Sequence, residues 1–101
     1  MENAKIMVID DEESMCRFMQ IMLQKEGYDV TSTVSSKEAL EEMKSKDYDL
    51  VIADLMMPEM NGLELLSRAK SIHPDINFIF MTAYASVDSA IEALKKGAFD
   101  Y

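Results

Sequence analysis

Asp54 closes the apolar run Asp49-Leu50-Val51-Ile52-Ala53 and is followed by Leu55-Met56-Met57-Pro58. A carboxylate at the end of a strand is an oxygen nucleophile on a rigid support, and it can accept a phosphoryl group. Two further apolar runs end in related chemistry. Lys5-Ile6-Met7-Val8-Ile9 ends in Asp10-Asp11, and Asn77-Phe78-Ile79-Phe80-Met81 ends in Thr82. If the three runs are neighbouring parallel strands, three carboxylates and one hydroxyl converge. Carboxylates within about 4 to 6 Å raise each other's pKa unless a cation offsets their charge. Mg²⁺ suits this all-oxygen donor set and would polarise an incoming phosphoryl group while Asp54 attacks and Thr82 donates to the new phosphate. Each piece alone has an ordinary explanation: Asp10-Asp11-Glu12-Glu13 as an acidic helix start, Asp54 as a strand end, Thr82 as a turn cap. Their shared position at strand ends carries the argument.

The elements that must position them alternate between strand and helix patterns. After a strand over residues 5–10, residues 13–26 form a helix with Met15, Phe18, Met19, Met22 and Leu23 on an inner stripe, stopped by Gly27. Residues 28–34 alternate more than the other strands, which predicts a sheet edge. Ser35-Ser36-Lys37-Glu38 has capping-box spacing and opens a second helix whose inner face is Ala39, Leu40 and Met43. Asn61, with Glu64 three residues on, caps a third helix that buries Leu65, Leu66, Ala69 and Ile72 and ends at His73-Pro74, leaving His73 as a solvated boundary residue. A fourth helix starts near Ser86, buries Val87, Ala90, Ile91 and Leu94, and ends at Lys95-Lys96-Gly97. Right-handed crossovers turn this order into a parallel sheet with helices on both faces, an α/β doubly wound fold. Ligands in such sheets bind at the strands' carboxyl ends, which again selects Asp10, Asp11, Asp54 and Thr82.

A chain of 101 residues matches one domain. Its net charge of −9, from 19 acidic and 10 basic residues, argues against direct nucleic-acid or anionic-membrane binding and for cations or basic protein surfaces as partners. The single cysteine, Cys16, excludes a disulfide scaffold and reads as a packing residue in a reducing compartment. No apolar stretch reaches the roughly 20 residues that span a bilayer, and Met1-Glu2-Asn3 lacks the basic flank of a signal peptide, so a cytoplasmic location is expected. The ten methionines fall mostly at core spacing, as flexible packing groups.

Four motifs in order, Asp10-Asp11, Asp54-Leu55-Met56-Met57-Pro58-Glu59-Met60-Asn61-Gly62, Met81-Thr82-Ala83 and Gly97-Ala98-Phe99-Asp100-Tyr101, resemble the receiver domain of two-component response regulators over the whole chain. The residues 82–86 and 95–101 look most like receivers of sigma-54-dependent (NtrC-type) transcriptional activators. The resemblance implies a flavodoxin-like (CheY-like) fold and a phosphorelay role in transcription regulation, with a sensor histidine kinase as phosphoryl donor. By position it makes Asp54 both the phosphoacceptor and a Mg²⁺ ligand, Asp11 a direct Mg²⁺ ligand, Asp10 a ligand largely through water, and the Met56 carbonyl a further ligand. Thr82 and Tyr101 become a switch pair, and Ala83 binds the phosphate through its backbone and is small enough to leave it approachable. Such a domain modifies itself and turns over no separate substrate.

Family members usually continue past the aromatic residue to a lysine and a proline, then a fifth helix. This sequence ends at Tyr101, so the expectation is a receiver domain incomplete at its carboxyl terminus, with the fifth strand and helix missing. Lys95 and Lys96 are not equivalents of the usual lysine. An uncovered edge on the fourth strand would favour a homo-oligomer or a segment-exchanged dimer. The alternative function is a receiver-like module that has lost switching and only binds cations or proteins. A flavodoxin-like cofactor binder is disfavoured because Asp10-Asp11-Glu12-Glu13 would repel a cofactor phosphate. A phosphatase with an aspartate nucleophile is disfavoured by the lack of an Asp-x-Asp pair on the first strand.

Overall fold

The computed structural model describes residues 4–54, 57 and 60–81. Strand β1 (Lys5–Ile9) is followed by helix α1 (Glu13–Lys25), then β2 (Asp29–Thr33), α2 (Ser36–Ser45), β3 (Leu50–Asp54), α3 (Gly62–Ile72) and β4 (Asn77–Met81). The strands form one parallel sheet in the order β2-β1-β3-β4. β2 lies at an edge, as its alternating pattern predicts, while β1 and β3 are central and apolar between Lys5 at the start of β1 and Asp54 at the end of β3.

Alternate side chains of the central strands feed two cores, because successive residues of a strand point to opposite faces. Met7, Ile9, Val51, Ala53, Phe78 and Phe80 pack with Ala39, Leu40 and Met43 of α2 and Leu65, Leu66 and Ala69 of α3. Ile6, Val8, Val30 and Ile52 form the opposite core, against which Met19 and Leu23 of α1 pack. Each fully buried aliphatic or aromatic side chain contributes roughly 1.5 to 3 kcal/mol relative to exposure, so these layers hold the strand ends in fixed register.

The helix ends follow the sequence signals. Gly27 adopts φ 93°, a left-handed conformation that costs glycine little. Its amide donates to the Gln24 carbonyl at 3.0 Å and the Tyr28 amide to that of Leu23 at 3.2 Å, a Schellman closure of α1. The Ser35 hydroxyl accepts from the Glu38 amide at 3.3 Å, and the Asn61 side chain accepts from the Glu64 amide at 2.9 Å.

Two expectations are corrected. Met15, Phe18 and Met22 are exposed, Phe18 at 59%, and do not form the inner stripe of α1. The helix packs over β2 and β1. Its Gln20 side chain donates to the Val30 carbonyl and accepts from the Ser32 hydroxyl at the β2 edge, which turns Cys16, Met19 and Leu23 inward and leaves Met15, Phe18 and Met22 on the far flank. His73 is also not a merely solvated boundary residue. Its Nε2 donates to the Met43 carbonyl at 2.6 Å and so closes one of the last open carbonyls of α2.

Candidate functional site

β1 and β3 pair in register, with Ile9 beside Ala53, so the residues that follow, Asp10 and Asp54, stand level at the carboxyl end of the sheet. Asp11 comes next in the connection to α1. The carboxylate oxygens of Asp10, Asp11 and Asp54 lie within 4.8 Å of one another. The convergence expected of the three carboxylates is therefore present. β4 extends the row, with Met81 paired to Asp54 and Thr82 following Met81 in sequence. Thr82, Ala83, Met56 and Tyr101, and the predicted fourth helix with Lys95 and Lys96, lie outside the described residues.

The three carboxylates differ in setting. Asp10 is 5% exposed, Asp54 half-buried and Asp11 exposed. Asp10 is held on both sides: its Oδ1 accepts from the Glu12 amide at 2.9 Å, and its own amide donates to the Thr33 carbonyl at 3.2 Å. Burial pushes its pKa above the ordinary 3.8, against the pull of the Glu12 amide, and the neighbouring Asp54 and Asp11 carboxylates push the same way. A buried acid beside two others is electrostatically costly without a counter-charge.

The residues fit a small divalent cation. All three donors are hard oxygens, as Mg²⁺ and Ca²⁺ prefer. Two oxygens on one Mg²⁺ lie at most about 4.2 Å apart, so a group spread over no more than 4.8 Å needs a small side-chain rotation, or one water in place of a carboxylate.

Sequence reasoning passed over two supports of this end of the sheet. The Glu12 backbone amide orients Asp10, and the acidic run gives no sign that its backbone serves as donor. The Cys16 thiol, read as packing, is buried and donates to the Asp10 carbonyl at 3.2 Å. Burial also pushes the Cys16 thiol up from its ordinary pKa, so it stays protonated and able to donate. Thr33, Asp10 and Cys16 are far enough apart in sequence that no spacing rule links them.

Among the described residues, no helix is long and apolar enough to cross a membrane.

The chain resembles known proteins along nearly its whole length. It is 45% identical over 100 residues to the transcriptional regulatory protein ZraR of Klebsiella oxytoca, an alignment that covers 99% of this chain and 23% of that protein. The chain thus spans about a quarter of this relative's length. A crystal structure of a CheY-like response regulator receiver domain protein from Methanospirillum hungatei superposes with a TM-score of 0.94 at 29% identity, over 99% of this chain and 80% of that one. A response regulator from Burkholderia pseudomallei, crystallised with a phosphorylated aspartic acid, calcium ion and citrate, superposes with a TM-score of 0.92 at 29% identity, over 98% of this chain and 58% of that one. The family model of the response regulator receiver domain matches residues 6–101. With its parallel sheet and the acid cluster at the sheet's carboxyl end, the chain belongs to the response regulator receiver family, the phosphoacceptor signalling domains of two-component systems.

Proposed function

We propose that Asp54 is the phosphoacceptor of this receiver and that Asp10 and Asp11 hold the divalent cation its chemistry needs, Mg²⁺. The observation that carries the reading is the gathering of the three carboxylates within 4.8 Å at the carboxyl ends of β1 and β3. One carboxylate of the group must stay ionised to attack. Asp54 is half-buried on the end of a central strand, which supports it as the attacking group, while Asp10 is buried and oriented through Glu12.

In the proposed reaction an Asp54 carboxylate oxygen attacks the phosphorus of a phosphohistidine on a sensor kinase. The phosphorus–nitrogen bond breaks, the imidazole leaves and takes up a proton, and an acyl phosphate remains on Asp54. The cation, when bound, offsets the charge of the carboxylates and of the phosphoryl oxygens. Asp10 and Asp11 bring their negative charge to one place, a set of hard oxygens that suits a hard divalent cation. By motif position alone, the Met56 carbonyl completes the donor set, Thr82 donates to the phosphoryl group, Ala83 leaves it approachable, and Thr82 with Tyr101 switches the protein's contacts. The domain acts in the cytoplasm as one receiver unit and catalyses at most its own phosphorylation and dephosphorylation.

The test is incubation with phosphoramidate, whose phosphorus–nitrogen bond stands in for phosphohistidine, with and without Mg²⁺. The expected outcome is a single protein-bound phosphoryl group, formed only with Mg²⁺ and released by hydroxylamine, as an acyl phosphate is. A hydroxylamine-stable label, or no label with Mg²⁺ present, would sink the assignment.

A further inference from the structure

The phosphoryl chemistry has no use for the Cys16 thiol as a reactive group, yet the structure gives it specific partners. Cys16 is 4% exposed, and its Sγ lies 3.2 Å from the Asp10 carbonyl oxygen and 3.4 Å from that of Thr33. The Asp10 amide also donates to the Thr33 carbonyl. One thiol hydrogen therefore sits where the end of β1, the end of β2 and the first turns of α1 meet. An alanine here would remove a donor from a buried carbonyl, and buried carbonyls are rarely left unpaired.

We propose that Cys16 is a positioning residue for the cation site: its thiol fixes the Asp10 backbone, and with it the direction in which the Asp10 carboxylate faces Asp11 and Asp54. The inference rests on the receiver reading above. Mutual repulsion drives the three carboxylates apart when no cation is present. The Glu12 amide restrains the Asp10 carboxylate at its oxygen, and the thiol restrains the main chain from which it projects. A ligand held from behind in this way loses less freedom when the cation binds, which is why groups outside the coordination sphere affect metal affinity.

The test is a calorimetric Mg²⁺ titration of the wild-type protein, Cys16→Ala and Cys16→Ser, with the Raman S–H stretching band of the wild type recorded alongside. A single cysteine makes that band unambiguous. Cys16→Ala is expected to bind Mg²⁺ roughly tenfold more weakly. Cys16→Ser, whose hydroxyl still donates, restores most of the affinity, which a filler of volume alone would not explain. The S–H band is expected at a hydrogen-bonded frequency and to shift when Mg²⁺ is added, and this readout needs no variant to fold. Wild-type affinity in Cys16→Ala, a Cys16→Ser variant as weak as Cys16→Ala, or a free-thiol band indifferent to Mg²⁺ would each overturn the inference while leaving the receiver reading intact. A wild-type protein that binds no Mg²⁺ would instead overturn the receiver site itself.

Discussion

Strand β3 is bracketed by two aspartates, Asp49 just before it and Asp54 at its end, and the two do opposite work. Asp49 is a stitch. Its Oδ2 accepts from the Lys5 amide at 2.7 Å, its amide donates to the Lys5 carbonyl at 2.8 Å, and its carbonyl accepts from the Asn77 side chain at 3.2 Å, so it ties the amino ends of β1, β3 and β4 together. Asp54 faces other carboxylates, Asp10 and Asp11. Asp49 is absorbed into the fold through the strands it ties. The three carboxylates gathered at the other end of the sheet favour a bound cation, and that gathering is the mark of chemistry.

The largest effect that would sharpen this contrast is on phosphoryl uptake. Asp54→Ala is expected to abolish it, whereas Asp49→Ala leaves it intact; labelling of both variants with phosphoramidate is the check, and uptake lost in Asp49→Ala but kept in Asp54→Ala would break the comparison. Next in size is the response to metal. Mg²⁺ at about a hundredfold over its Kd should stabilise the wild-type protein by about 2.7 kcal/mol, seen as a rise in Tm. Asp11→Asn removes a charged donor and should weaken binding about tenfold or more. A variant melting with the same Mg²⁺ dependence as wild type would mean that Asp11 is not a ligand.

A third effect concerns pH in the absence of metal. The Asp10 pKa is raised in the folded protein, so the native state binds more protons than the unfolded state as the pH climbs from the ordinary 3.8 toward the raised value. Stability contributed by this group therefore falls across that window and stays lower above it. Asp10→Asn keeps an oxygen for the Glu12 amide and escapes the loss. Its Tm should match wild type at the acid end and exceed it increasingly as pH rises, and a gap that is constant with pH would refute the electrostatic account. The smallest effect belongs to the stitch: Asp49→Ala loses an exposed hydrogen bond and should cost about 1 kcal/mol, a fall in Tm of about 4 to 8 °C. No fall at all would show that the amino ends of the strands hold without it.

Much of this architecture is legible in the sequence because it rests on local signals. The apolar runs, Gly27, Ser35 with Glu38, and Asn61 with Glu64 each act within a few residues, and crossover handedness then fixes the sheet and the row of acids at its carboxyl end. Contacts between distant segments were not legible. His73 closing α2 through Met43, Asp49 pairing with Lys5, and Cys16 donating to Asp10 join residues 30, 44 and 6 apart in sequence. The inner face of α1 departs from its apolar stripe for a related reason: periodicity finds the stripe, but the position of the helix over β2 decides which edge of it is covered, and Gln20 rather than Met15 or Met22 turns toward the sheet edge.

Intact mass after treatment with a small acyl phosphate, with and without Mg²⁺ and beside Asp54→Ala, decides whether Asp54 is the acceptor. The expected result is the gain of one phosphoryl group by the wild-type chain with Mg²⁺, no gain without the cation, and no gain in the variant. Equal uptake by Asp54→Ala, or none by the wild type in Mg²⁺, would contradict the assignment of Asp54 as the acceptor at this acid cluster.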